Sequence, residues 1–163
     1  MLSGILLSSL IIGGCNSTID KSFPIQNNVI EKNVKISLSC QQYEGKVYHS
    51  PEGLTSITFS SPQNLKDFTI SRNAGKFEIT QNGLEGQYTK QPLPQNSELR
   101  YFMDILDTIS GDKSKLTLKK EEEGEKIYSG VINNNEFNVI LGKNNDIIRI
   151  SMKNPEIEVE FKY

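Results

Sequence analysis

Tryptophan is absent from this 163-residue chain, histidine occurs once and cysteine twice. So few metal-ligating side chains exclude the common Cys/His zinc sites and leave little for a cysteine–histidine nucleophile pair. Charge of one sign is also lacking. Eighteen Lys+Arg stand against 20 Asp+Glu, a formal net charge of −2, which excludes the strong basic field of a nucleic-acid binder. No nucleic-acid partner is therefore expected. Long apolar runs are missing as well: Gly4 to Ile12 reads GILLSSLII, well short of the about 20 residues a membrane-spanning helix needs. No Ser-centred elbow, phosphate-cradling glycine loop or HExxH stretch occurs. Neither enzymatic activity nor a cofactor nor a metal is expected from these residues. Length and the 36% hydrophobic content fit one domain, with or without an appendage.

What is present begins with an address. Gly4 to Ile12 has the length of a signal-peptide apolar core. Directly after it, Ile12-Gly13-Gly14-Cys15 resembles the bacterial lipobox. Small residues flank the scissile bond, and the cysteine thiol is the nucleophile that accepts diacylglycerol. The resemblance implies residues 1–14 as a lipoprotein signal peptide, lipidation of Cys15, and attachment to the extracytoplasmic face of a cell membrane. One departure is the leading Met1-Leu2-Ser3, which carries no Lys or Arg. Residues 15–33 are polar and without sustained period, so they read as a lipid-anchored tether, leaving 34–163 as the single folded domain.

From Val34 the apolar residues alternate with polar ones: Val34, Ile36, Leu38 and Cys40 share a face. Further strands are predicted over Tyr43 to His49, Leu54 to Ser60, Lys66 to Arg72, Lys76 to Gln81 and Leu84 to Thr89, separated by Pro/Gly/Asn turns. Between Pro94 and Gly111 the period becomes helical, with Leu99, Phe102, Met103, Leu106 and Ile109 on one stripe. Alternation resumes over Ser114 to Glu121, Glu125 to Ile132, Glu136 to Gly142, Asp146 to Lys153 and Glu156 to Lys162. The expected fold is mainly β (α+β): an antiparallel curved sheet, or half-barrel, of about 10–11 strands with one inserted amphipathic helix.

A lipobox, a meander, a helix and a second meander together resemble the half-barrel lipoproteins of the LolA, LppX and LprG type. Within that group Phe59-Ser60-Ser61-Pro62-Gln63-Asn64-Leu65-Lys66-Asp67-Phe68-Thr69-Ile70 and Ile79-Thr80-Gln81-Asn82-Gly83-Leu84 are similar to clostridial envelope lipoproteins, including the GerS-type germination lipoproteins. That resemblance implies a Gram-positive, clostridium-like source. It also implies a non-catalytic module that binds an envelope protein, a cell-wall amidase acting on spore cortex. The rival expectation is a lipid or lipoprotein carrier with an apolar cavity between sheet and helix.

The remaining candidates have plain readings beside the functional ones. His49 flanks a turn without partners at triad spacing. Cys40 follows the inward alternation of its strand and reads as a small buried hydrophobe. Glu121-Glu122-Glu123-Gly124-Glu125 lacks the alternate ligand spacing of a calcium loop and reads as a solvated hairpin tip. Asp104 and Asp107, three apart on the polar side of the helix, have the spacing of an acid–base pair but read as solubilising carboxylates. Phe59, Phe68, Phe77, Tyr88, Phe102 and Leu106 either close a core or line the carrier's cavity. The first strand, with small outward serines and Lys35 as its one charge, is the expected edge for strand addition, to another protein or to a second copy in a homodimer.

Overall fold

The computed structural model describes residues 22–24, 29–39, 41–81, 84–86, 93–94, 97–111 and 115–163. Eleven strands follow in chain order: β1 Ile30–Leu38, β2 Gln41–His49, β3 Thr55–Ser61, β4 Thr69–Asn73, β5 Lys76–Gln81, β6 Leu84–Gly86, β7 Thr117–Glu122, β8 Glu125–Ile132, β9 Asn135–Leu141, β10 Ile147–Met152 and β11 Ile157–Lys162. One helix, α1 Glu98–Ser110, lies between β6 and β7. The strands form a single antiparallel sheet in the order β6-β5-β4-β3-β2-β1-β11-β10-β9-β8-β7. The architecture is the expected half-barrel with one inserted helix.

Each strand forms where alternation meets a turn able to reverse it. Asn133 and Asn134 take positive φ between β8 and β9, and Ala74-Gly75 do so between β4 and β5, as tight hairpins require. Inward positions of the central strands are apolar: Val34, Ile36 and Leu38 of β1 pair with Phe161, Val159 and Ile157 of β11, and all six are buried. Outward positions carry the charge: Lys46–Glu31 at 2.5 Å ties the adjacent strands β2 and β1, and Lys162–Glu44 at 2.7 Å reaches over β1 from β11 to β2. Gly130 on β8 stands opposite Phe137 on β9. A Cβ there would lie 2.5 Å from the Phe137 ring, so the missing side chain is the space the ring fills.

The helix starts at Ser97, whose hydroxyl accepts from the Arg100 N–H, with Glu98 in the first turn. Its stripe is deeper than the period alone implies: Tyr101, Phe102, Met103, Ile105, Leu106, Ile109 and Ser110 are all buried. It sits on the concave face and supplies the second layer of the core.

Several boundaries differ from expectation, and three bear on the core. β1 begins at Ile30 rather than Val34, pairing Ile30 with His49. Residue Phe23, within the span read as tether, is 2% exposed and meets Tyr128 of β8 edge-on at 4.9 Å. β4 begins at Thr69 rather than Lys66, because a 3-10 turn at Gln63–Leu65 uses the preceding residues. The largest correction concerns β1. It is held between β2 and β11 in the middle of the sheet, paired on both sides over Asn33–Leu38, so the span read as an open edge is not one. Strand addition at β1, and a homodimer built that way, are ruled out for this fold. The edges among the described residues are β6 and β7, and β7 is guarded by Lys119, Lys120, Glu121 and Glu122.

Candidate functional site

Cross-strand partners of an antiparallel sheet share a face. The register therefore lays Ile30, His49, Thr55, Arg72 and Phe77 in one row across β1 to β5. All five are buried on the concave side. Three polar groups in such a row need partners, and α1 brings two of them: Asp104 and Asp107, three apart and thus on one helical face. Arg72 Nη1 donates to Asp104 Oδ1 at 2.5 Å and Nη2 to Asp107 Oδ2 at 2.6 Å. The guanidinium lies 5.9 Å from the centroid of the Phe77 ring. His49 Nδ1 is 2.8 Å from Thr55 Oγ1 and 3.9 Å from Asp107 Oδ1. Its Nε2 is buried without a hydrogen-bond partner.

This cluster corrects one expectation. Asp104 and Asp107 are clasped to a buried arginine rather than solubilising a free face. His49 does flank a turn, at the end of β2, and there it is 1% exposed. Burial, and then the positive charge of Arg72, pull the imidazole down to about 4, so it is neutral near pH 7. Burial pushes the Asp107 carboxyl upward, against the attraction of Arg72.

Chemically the cluster is turned on itself, with His49 Nε2 left as its one buried polar atom without a partner among the described residues. A nucleophile–histidine–carboxylate relay needs the two partners on opposite ring nitrogens. Here Thr55 and Asp107 both face Nδ1, while Nε2 faces protein. Among the described residues no group of three or more His, Cys, Asp or Glu is placed to hold a metal ion. The arrangement fastens the helix to the first half of the sheet.

Beside this row lie the aromatic positions singled out from the sequence. Phe59, Phe77, Phe102 and Leu106 are 3%, 8%, 0% and 0% exposed. Phe68 is half-buried, with its ring 6.2 Å from Phe59, which in turn meets Tyr43 at 5.6 Å. A side chain with no accessible surface leaves no water-sized space against it. At Phe102 and Leu106 the interface between helix and sheet is therefore filled. Tyr88, Cys40, Cys15 and residues 1–14 lie outside the described residues.

A separate concavity of about 280 Å³ opens where β1, β10 and β11 end, and no helix residue lines it. Ile30, Ile147 and Phe161 form its apolar floor, with Val29, Lys32, Asp146 and Tyr163 at the rim. Lys32 Nζ sits 4.1 Å above the Tyr163 ring, and the Tyr163 hydroxyl donates to the Ile147 carbonyl at 2.5 Å. Burial and the nearby Asp146 push that phenol up to about 12. The volume falls just below the range of ligand pockets, about 300 to 1,000 Å³.

Comparison with known proteins adds the following. No protein-family model matches this sequence, and no curated protein does. Among solved structures, the chain is similar to an uncharacterized conserved protein from Thermus thermophilus, at 11% identity and a TM-score of 0.46, over 83% of this chain and 76% of that one. It is similar to a LolA superfamily protein from Nitrosomonas europaea, at 10% identity and a TM-score of 0.42, over 88% and 87%. It is also similar to a chain of the Pseudomonas aeruginosa MucA/MucB complex, at 9% identity and a TM-score of 0.43, over 82% and 50%.

Proposed function

We propose that this chain is a non-catalytic lipoprotein, held on the extracytoplasmic face of the membrane through Cys15, whose half-barrel binds another envelope protein. The observation that carries the reading is the filled concave face. Phe102 and Leu106 have no accessible surface, and the polar groups beside them are engaged with one another. With that interface filled, a partner is met on the outer surface. The sequence resemblance to GerS-type lipoproteins makes the partner a cell-wall amidase that acts during spore germination.

The concavity floored by Ile30, Ile147 and Phe161 favours a second reading, a lipid or lipoprotein carrier that accepts an apolar group at the end of the sheet. Crosslinking in intact envelopes, followed by reconstitution of the purified pair, separates the two. The first reading predicts a stoichiometric complex that re-forms from pure components. Failure of every crosslinked protein, a cortex amidase included, to re-form a complex would contradict it.

A further inference from the structure

The residues just ahead of β1 are placed in an unexpected way. β1 begins at Ile30, yet Phe23 is docked on β8, four places away in the order β1-β11-β10-β9-β8. Phe23 is 2% exposed, and its partner Tyr128 is among the most deeply buried side chains. The Tyr128 hydroxyl donates to the carbonyl of Ser22 at 3.2 Å, which fixes the backbone next to the inserted ring. Pro24 follows, holding φ near −65° and disfavouring a helical conformation at Phe23. Ser22 itself is exposed.

We infer that Ser22-Phe23-Pro24 is a brace that sets the height of the domain above the bilayer, which makes the lipid surface the partner of the β8 side of the half-barrel. The inference rests on lipidation of Cys15, proposed above. From Cys15 to Ser22 is seven residue steps. At 3.3–3.6 Å per step Ser22 stands no more than about 25 Å from the acylated sulfur. Were the chain free up to Ile30, fifteen steps would allow about 50 Å. The brace thus halves the reach of the domain. A protein partner must then present its docking face close to the membrane.

The chain has no tryptophan, so Phe23→Trp creates a single reporter. The test uses the mature lipoprotein in phosphatidylglycerol-containing vesicles with dansyl-labelled headgroups. The brace predicts blue-shifted emission from Trp at this position and strong energy transfer to the dansyl groups. A flexible Gly-Ser insertion of about 12 residues after Lys21 adds ~17–21 Å of root-mean-square reach and should cut the transfer severalfold. If Trp is too large for the slot, Ser22→Trp carries the same measurement, with Phe23→Ala added to free the segment and lower the transfer. Vesicle-bound protein with solvent-like Trp emission would overturn the docking. Buried emission with transfer unchanged by the insertion would overturn the height setting. Protein that never attaches to vesicles would overturn the lipid anchor, and the inference with it.

Discussion

Replacing His49 by Gln should flatten the dependence of stability on pH, because the imidazole is the group whose ionisation the fold opposes most clearly. Three elements face it: Thr55 on β3, Arg72 on β4 and Asp107 on α1, with Asp104 behind the arginine. The folded-state value is about 4 against 6.5 for a free imidazole, so the fold favours the neutral form. Stability from this preference is complete above 6.5 and is lost as pH falls towards 4. At about 1.4 kcal/mol per pH unit, that interval corresponds to about 3 kcal/mol, a large share of the roughly 5–15 kcal/mol that holds a typical domain together. The side chain is 1% exposed, so solvent screening does little to reduce the figure. Asp107 acts with the opposite sign, since its raised value lets the folded state take up a proton more readily and recover part of the loss. The assay is urea denaturation of residues 22–163 at intervals from pH 7.5 to 4. Wild type should lose about 3 kcal/mol more than His49→Gln, with the divergence starting near pH 6.5. Curves that run parallel throughout the range would refute the argument.

Other expectations follow from the same packing. Phe102→Ala and Leu106→Ala should each cost about 2–5 kcal/mol, because both side chains are enclosed between helix and sheet. Denaturant midpoints report this, and a loss below about 0.5 kcal/mol at both sites would mean that the stripe is not core. Ser37 pairs with Gln42 on one side and Glu158 on the other, so Ser37→Pro should disrupt folding rather than a surface contact. Circular dichroism melting would show the lost transition, whereas an unchanged midpoint would contradict the central placing of β1. Cys15→Ala should abolish metabolic labelling with an alkyne fatty acid and release the protein from membranes, and persistent labelling would end the lipobox reading.

The strands were legible because alternation is local: a run such as Ile157, Val159 and Phe161 against Glu156, Glu158 and Glu160 declares its two faces without knowledge of its neighbours. The helix was legible for the same reason, from its 3.6-residue period. Strand order was not, since pairing of β1 with β11 joins the two ends of the domain through contacts that no short window contains. Part of the clasp could have been found. Ile70 and Arg72 fall on the same face of β4, so an inward arginine was implied, and an inward arginine demands carboxylates. Asp104 and Asp107, three apart on the helix, were the available pair. Reading the polar side of α1 as solvated hid that link, because period alone does not show how much of a helix a curved sheet encloses. Phe23 was missed for a related reason: one aromatic residue in a polar stretch has no period, and the ring it packs against, Tyr128, lies far off in the sequence.

Whether the half-barrel is closed is asked most directly by mass spectrometry of lipids co-purifying with residues 22–163 expressed in bacteria. A filled interface at Phe102 and Leu106 predicts protein free of bound lipid. Lipid recovered at one equivalent per chain, and lost on enlarging Ile147 to Trp at the floor of the open concavity, would contradict the closed binding module and establish the carrier instead.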